Sequence, residues 1–301
     1  MTMKPTVLIT GASGFSGRHA CEYFSKSGYH VIAVSRKKTE FPVDIQVENC
    51  DLTNKKEVEM LIQDTVPQYV LHLAGQNHVV ESWLDPITTL EVNVMSTAIL
   101  IEALRKYNLQ ARILIVTSSL QFDPINAVPP HPYSLSKTLQ SLVAKAWVDL
   151  YKMDIMIAKP TNLIGPGFSN GVCSIFARKI IAMEENKIEN RLEVNNMEAT
   201  RDFIDVRDVV RAYEMILKRG KLGEIYDISS GNCHSLQQIL YAFKNISSVE
   251  FVIHSLTTGS HDTQTEVKPI KIQRLGWEQT FTLEESLMDI VRFYRDNREK
   301  I

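Results

Sequence analysis

Residues Thr6-Val-Leu-Ile-Thr-Gly11-Ala-Ser-Gly14-Phe-Ser-Gly17 decide how the rest of the chain is read. A short apolar, β-branched run reads as a buried strand. Three glycines, each three residues after the last, then turn the chain into a helix over 18–27 that Gly28 ends. Glycines let the backbone turn sharply and approach a pyrophosphate, while the start of the following helix offers free N–H groups and the positive end of its dipole. A three-glycine pattern alone is weak, because it arises by chance. With a strand before it and a helix behind it, the pattern points to a dinucleotide site to which Gly11, Ser13, Gly14, Phe15 and Ser16 contribute.

Outward from this stretch, strands are expected at 30–34, 44–47, 69–73, 111–116 and 154–158, with helices at 54–64, 86–107 and 133–151 between them. Residues 111–116 form a near-continuous apolar run, which suits a parallel strand covered on both faces. Strands alternating with helices argue for an α/β fold, a Rossmann-type doubly wound parallel sheet. Past Pro160 the rhythm changes. Residues 162–167 read as a loop, 172–185, 206–218, 236–243 and 283–297 as helices, and 191–194 and 224–228 as strands. The expected division is therefore a dinucleotide-binding domain at 1–160 and a smaller α/β substrate-binding lobe at 161–301, with a return to the sheet near 195–230.

Bulk properties narrow the function. The chain has 301 residues, 44% hydrophobic and 23% charged, and a net charge of -2, so charge gives no case for nucleic acid or an anionic membrane. No apolar run reads as a membrane span, and the N-terminus enters the first strand without a signal-peptide pattern. Cys21, Cys50, Cys173 and Cys233 are scattered without metal-ligand spacing, so free thiols in a reducing, cytoplasmic setting and no metal are expected.

Three further groups carry chemistry. Strand two ends in Ser35-Arg36-Lys37-Lys38, where NAD-binding versions of such a site place an acidic residue on the ribose. A hydroxyl followed by cations suits a 2′-phosphate, which a guanidinium grips with two hydrogen bonds. NADP is therefore expected over NAD, although a solvated basic turn has the same composition. Asp51-Leu52 ends strand three, where a carboxylate can meet the adenine or simply close a turn. Tyr133 and Lys137, four apart, share one helix face, and an ammonium beside a phenol lowers the phenol's pKa and makes it a workable acid. Thr117, Ser118 and Ser119 follow strand five, where ligands of open α/β sheets bind, and a serine there suits an oxygen that gains negative charge. Ser118 and Ser119 both fit that role.

The order glycine loop, strand-five serine, Tyr-x-x-x-Lys resembles the extended short-chain dehydrogenase/reductase family, which comprises nucleotide-sugar epimerases, dehydratases and reductases. Four more stretches resemble family motifs: His72-Leu-Ala-Gly75, Asn93-Val94, Lys159-Pro-Thr-Asn-Leu-Ile-Gly-Pro166 and Ala199-Thr-Arg-Asp-Phe-Ile-Asp-Val-Arg-Asp208. Leu275-Gly-Trp277 and the residues from Leu283 resemble its C-terminal ending. The resemblance implies a catalytic set of Ser118, Tyr133 and Lys137. It adds Leu73, Ala74, Gly75, Asn93, Thr117 and Pro160 to the cofactor site and sets Asn162, Arg178 and Arg201 against a sugar nucleotide. Arg178 also fits a solvated helix face, and Arg201 fits an internal pair with Asp202 or Asp205.

Within the family the chain is most similar to the reductases of GDP-4-keto-6-deoxy-D-mannose. That implies NADPH-dependent reduction of a C4 ketone, with a homodimer built on helices at 91–107 and 133–151. A C4 epimerase holding NAD tightly and a non-catalytic dinucleotide-binding protein are the alternatives. Three departures bear on this. Leu120 stands where dehydratases carry an acid, which argues against 4,6-dehydration. The loop at 123–132 is short and proline-rich. Gly259-Ser-His-Asp262 replaces an arginine near the base-binding loop. His78 lies past strand four and also fits an ordinary loop histidine.

Overall fold

The computed structural model describes residues 4–37, 39–257 and 263–300; Lys38 and the 259–262 stretch lie outside them. Strands β1 (Thr6–Thr10), β2 (His30–Ser35), β3 (Gln46–Asn49), β4 (Tyr69–His72), β5 (Arg112–Val116), β6 (Ile155–Pro160) and β10 (Ile225–Ile228) form one sheet in the order β10-β6-β5-β4-β1-β2-β3. The ladders from β6 to β3 are parallel. β10 joins in the same sense, through Ile157 N–H to the Glu224 carbonyl and Gly223 N–H to the Ile155 carbonyl. This is the expected doubly wound α/β sheet. Val7, Leu8 and Ile9 of β1 are fully buried, as an apolar run covered on both faces requires.

Two compact units emerge. The first comprises 1–160, 210–227 and 274–277, and the second comprises 161–209, 228–273 and 278–301. In the first, α1 (Phe15–Lys26) and α2 (Lys55–Thr65) flank the sheet's strands in sequence, and Asn54 caps α2 by accepting from Lys56 N and Glu57 N. α3 (Val79–Leu84) precedes a continuous helix, Pro86–Tyr107, built from α4 (Pro86–Leu90), a π-helical turn (Glu91–Met95) and α5 (Ser96–Tyr107). By length and composition this helix would reach across a membrane, contrary to the expectation of no such run. Its inner residues Leu100, Ile101 and Leu104 nonetheless pack into the core beside Val58 and Ile62 of α2. α6 (Pro132–Tyr151) follows β5, capped by His131 Nδ1, which accepts from Ser134 N at 2.9 Å.

The second unit departs further from the sequence reading. Residues 162–164, expected in a loop, are strand β7 (Asn162–Ile164), parallel to β9 (Thr200–Asp205), which β11 (Cys233–Ser235) joins antiparallel. β8 (Arg191–Val194) pairs in parallel with β12 (Val252–Ser255). Around these strands α7 (Val172–Glu184), α9 (Leu236–Ile246) and α10 (Leu283–Asp296) enclose a core with Phe176, Phe243, Leu287 and Tyr294. α8 (Val206–Arg219) carries the chain from the second unit back to the first. Elsewhere the expected boundaries shift: α1 opens at Phe15 rather than Arg18, and β3 lies two residues later than expected.

Candidate active site

The glycine turn is shaped by close backbone approach. Gly11 has φ +66°, and a Cβ there would lie 2.7 Å from Ala74 N. A Cβ on Gly17 would lie 2.1 Å from the Gly11 carbonyl oxygen, so only glycine fits. Gly14 is the N-cap of α1 and offers no side-chain acceptor to the first turn, leaving those N–H groups for an anion. Beside the turn, Leu73 N donates to the Thr10 carbonyl at 3.3 Å and Ala74 N to Thr10 Oγ1 at 3.2 Å.

At the far end of β2, the buried Ser35 hydroxyl donates to the Lys37 carbonyl at 2.6 Å and closes the turn on which Arg36 stands exposed. Asp51 Oδ1 accepts from Thr53 N and Thr53 Oγ1, an Asx turn that holds its carboxyl below the usual range, with Arg36 helping. Leu52 is buried in the core.

The catalytic candidates converge. Thr117 N donates to the Ala158 carbonyl and Ser119 N to the Pro160 carbonyl, which pins the end of β5 to β6. Ser118 is nearly buried, its Oγ accepting from Leu120 N at 3.1 Å, and its side chain lies close enough to the Tyr133 phenol to favour the ionised form. Ser118 rather than Ser119 is therefore the serine that meets the tyrosine. Lys137 Nζ donates to the Val116 carbonyl at 3.2 Å and to Gln140 Oε1 at 2.9 Å. Asn93, on the π-turn, accepts from Gln76 N at 2.8 Å and donates to the Gln76 carbonyl and to Ser136 Oγ. A Cβ on Gly75 would meet Asn93 Oδ1 at 2.8 Å and Lys137 Nζ at 3.4 Å, so the loop after β4, the π-turn and α6 meet there.

One electrostatic expectation is corrected. Lys137 does not depress the Tyr133 pKa in this arrangement. Burial raises it, and only the neighbouring Ser118 side chain opposes. The lysine's ammonium is turned to the Val116 carbonyl and the Gln140 amide, and burial alone pushes its own pKa down to about 8.

The altered loop after Ser119 is tied to α6. Gln121 Nε2 donates to the Lys137 carbonyl and to Ser141 Oγ, Phe122 N donates to Thr138 Oγ1, and Ser134 Oγ donates to the Leu120 carbonyl. His78 is half-buried before α3 and makes no side-chain cap. Sequence alone assigns no site role to Ser82, whose hydroxyl accepts from Tyr133 N at 3.1 Å, or to Gln140, whose spacing of three from Lys137 is the available signal.

The three substrate candidates lie in the second unit. Asn162 and Arg201 stand on adjacent strands. Asn162 Nδ2 donates to the Asp202 carbonyl at 2.9 Å and to Gln264 Oε1 at 3.4 Å, and Arg201 donates to the Thr200 carbonyl at 2.8 Å. Asp202 accepts from Thr161, Ser230 and Gly231, whereas Asp205 accepts from Arg207 and Ser286. Arg178, on α7, has its guanidinium 5.8 Å from the Tyr294 ring centre. Among the described residues, no three His, Cys, Asp or Glu side chains could hold a metal ion.

The model of the NAD dependent epimerase/dehydratase family matches residues 7–229. The chain belongs to that family. It is therefore an NAD(P)-dependent enzyme of the extended short-chain dehydrogenase/reductase type. It is similar to the GDP-6-deoxy-D-mannose reductase of Pseudomonas aeruginosa, 28% identical over 96% of this chain and 97% of that one. It is also similar to the dTDP-glucose 4,6-dehydratase of Salmonella typhimurium, 26% identical over 97% and 93%. The structure of RMD from Pseudomonas aeruginosa complexed with NADPH superposes with a TM-score of 0.86 at 26% identity, covering 98% of this chain and all of that one. The UDP-glucose 4-epimerase of Thermotoga maritima shares the fold, with a TM-score of 0.85 at 23% identity over 97% and 99%.

Proposed function

We propose that this enzyme reduces the C4 ketone of a nucleotide-linked 4-keto-6-deoxy sugar with NADPH, the favoured substrate being GDP-4-dehydro-6-deoxy-D-mannose and the product GDP-rhamnose. The observation that carries the reading is that Ser118, just past β5, sits beside the Tyr133 phenol on the α6 helix that also bears Lys137. The cofactor supplies a hydride. Tyr133 donates the proton that the ketone oxygen needs, Ser118 holds that oxygen, and Lys137 binds the nicotinamide ribose. Gly11, Ser13, Gly14, Phe15 and Ser16 hold the diphosphate. Arg36 takes the 2′-phosphate from the turn that Ser35 closes, Asp51 and Leu52 border the adenine, and Leu73, Ala74, Gly75, Asn93, Thr117 and Pro160 line the rest of the cofactor. Asn162, Arg178 and Arg201 bind the sugar nucleotide, the arginines because a guanidinium pairs bidentately with phosphate. Leu120, which has no proton to give or take, argues against a dehydratase.

We also read the chain as a homodimer through the helix at 91–107 and α6, on which Met95, Leu142 and Leu150 are exposed. Size-exclusion chromatography with light scattering checks this.

The reading is tested by incubating GDP-, dTDP-, UDP- and CDP-linked 4-keto-6-deoxy sugars with enzyme and NADPH and following absorbance at the reduced-nicotinamide band. Oxidation of NADPH with the GDP sugar is expected. Purified enzyme that carries tightly bound NAD and interconverts C4 epimers without net oxidation would replace this reading with the epimerase.

A further inference from the structure

A chain of fully buried polar side chains runs behind Lys137, from α6 through the Pro86–Tyr107 helix to the strands that carry the cofactor loops. Lys137 Nζ donates to Gln140 Oε1 at 2.9 Å, and Gln140 Nε2 donates to Thr97 Oγ1 at 2.8 Å. His72 Nε2 lies 2.9 Å from Thr97 Oγ1, and His72 Nδ1 lies 2.7 Å from Thr10 Oγ1. Thr10 Oγ1 accepts from Ala74 N, and Thr97 Oγ1 donates to the Asn93 carbonyl at 2.7 Å.

Every proton in this chain is assigned by elimination. An ammonium has only donors, so Gln140 turns its oxygen to Lys137 and its amide N–H to Thr97. Thr97 has one proton, given to Asn93, so the Thr97 oxygen accepts from both Gln140 and His72. His72 is then the neutral Nε2–H tautomer, and its Nδ1 accepts the Thr10 proton. Burial, with the Lys137 charge adding to it, pushes the His72 pKa down to about 3, in agreement with a neutral ring. Gln140 is thus locked in one orientation by groups that cannot reverse.

We propose that Gln140 is a positioning residue for Lys137. Its side-chain oxygen holds the ammonium at the cofactor end of the site and keeps it protonated, with Thr97 and His72 fixing Gln140 in turn. The inference rests on the catalytic role given to Lys137 above. The groups about the ammonium are the Val116 carbonyl from β5, Gln140 from α6, His72 from β4, Asn93 from the π-turn and the Gly75 backbone, with Tyr133 one helical turn before Lys137 on α6. Of these only Tyr133 and His72 titrate. His72 stays neutral down to about pH 3 and the Tyr133 pKa is raised, so near neutrality the lysine titrates alone. Gln140 supplies one of the two acceptors that offset the lysine's burial, and a carboxylate there would oppose it further.

The test uses the ligand-free enzyme labelled with 13Cε-lysine, with the Lys137 signal identified by its loss in Lys137→Met, titrated by NMR in wild type, Gln140→Leu and Gln140→Glu. Relative to wild type, the Lys137 midpoint should fall by half a unit or more in Gln140→Leu and rise by a unit or more in Gln140→Glu. In turnover assays with NADPH and the GDP-linked ketone, the alkaline limb of kcat should move with the NMR midpoint in each variant while KM for the sugar stays constant. Midpoints that coincide with wild type, or that both move the same way, overturn the proposal. So does a kcat profile that stays put while the midpoint moves. If wild type turns over no sugar, the substrate reading falls, and the two NMR midpoints still decide whether Gln140 sets the lysine.

Discussion

Ser118, just past the end of β5, lies beside the Tyr133 phenol at the start of α6. Burial raises the phenol's pKa, so Tyr133 is protonated at neutral pH and ready to act as an acid, and Ser118 is the group that favours its ionised form. The pair is assembled by backbone, since Ser119 N on the Pro160 carbonyl fixes one side and Tyr133 N on Ser82 Oγ fixes the other.

If the phenol is the acid, Tyr133→Phe should lower kcat by about 10²–10⁴-fold with NADPH affinity nearly intact. Ser118→Ala, which removes one stabilising donor, should cost about 10². Steady-state kinetics with fluorescence binding of NADPH separates the two effects. Wild-type turnover in Tyr133→Phe would rule out this chemistry.

The cofactor preference turns on an exposed arginine. Arg36 stands exposed on the turn closed by Ser35 and Lys37, near the Asp51 carboxylate, where a guanidinium can take a phosphate. Loss of a charge-assisted contact worth about 1.5–3 kcal/mol should raise KM for NADPH about 10–100-fold in Arg36→Ala and leave KM for NADH unchanged. Equal loss for both cofactors would mean that Arg36 serves the turn rather than the 2′-phosphate.

Much of this was legible in the sequence, and the parts that were not share a cause. β1 and β5 read easily because continuous apolar runs mean burial on both faces, and the 133–151 helix was readable to within one residue. β7 and β9 were hidden because β7 is three residues long and β9 carries Asp202 and Asp205 inward. Those carboxylates are satisfied by Thr161, Ser230, Gly231, Arg207 and Ser286, most of them distant in sequence, so no local pattern announces a strand. The Tyr133 and Lys137 pairing was visible as spacing, but the direction of the Tyr133 pKa was not. It depends on how deeply the phenol is buried, which only tertiary packing sets.

Two glycines of similar appearance should behave differently. Gly17→Ala would drive a Cβ to 2.1 Å from the Gly11 carbonyl oxygen, a backbone atom that moves only if the phosphate turn moves. It should cost about 1–3 kcal/mol of stability and abolish NADPH binding. Gly28, with φ +87° and no atom within 4 Å of an added Cβ, ends α1 away from the turn. Gly28→Ala should lose about 1–3 kcal/mol through backbone strain and keep NADPH affinity. Denaturant melts paired with cofactor titrations report both, and intact binding in Gly17→Ala would remove the turn from the cofactor site.

The buried lysine also leaves a signature in stability. Burial lowers the Lys137 pKa from 10.5 to about 8 in the folded chain. Below pH 8 both folded and unfolded chains hold the proton, and the cost of burying the charge is present in full. Between pH 8 and 10.5 the unfolded chain keeps a proton that the folded chain has released, so this residue makes stability rise with pH, by up to about 3 kcal/mol. Cys21, Cys50 and Cys173, pushed up to about 12 by burial, act in the opposite sense above their usual range. The clean observable is therefore wild type minus Lys137→Met in urea unfolding at pH 7, 8, 9 and 10. Lys137→Met should be the more stable protein at pH 7 although inactive, with its advantage shrinking as pH climbs. A difference that stays constant from pH 7 to 10 would show that the ammonium is better solvated than its position implies.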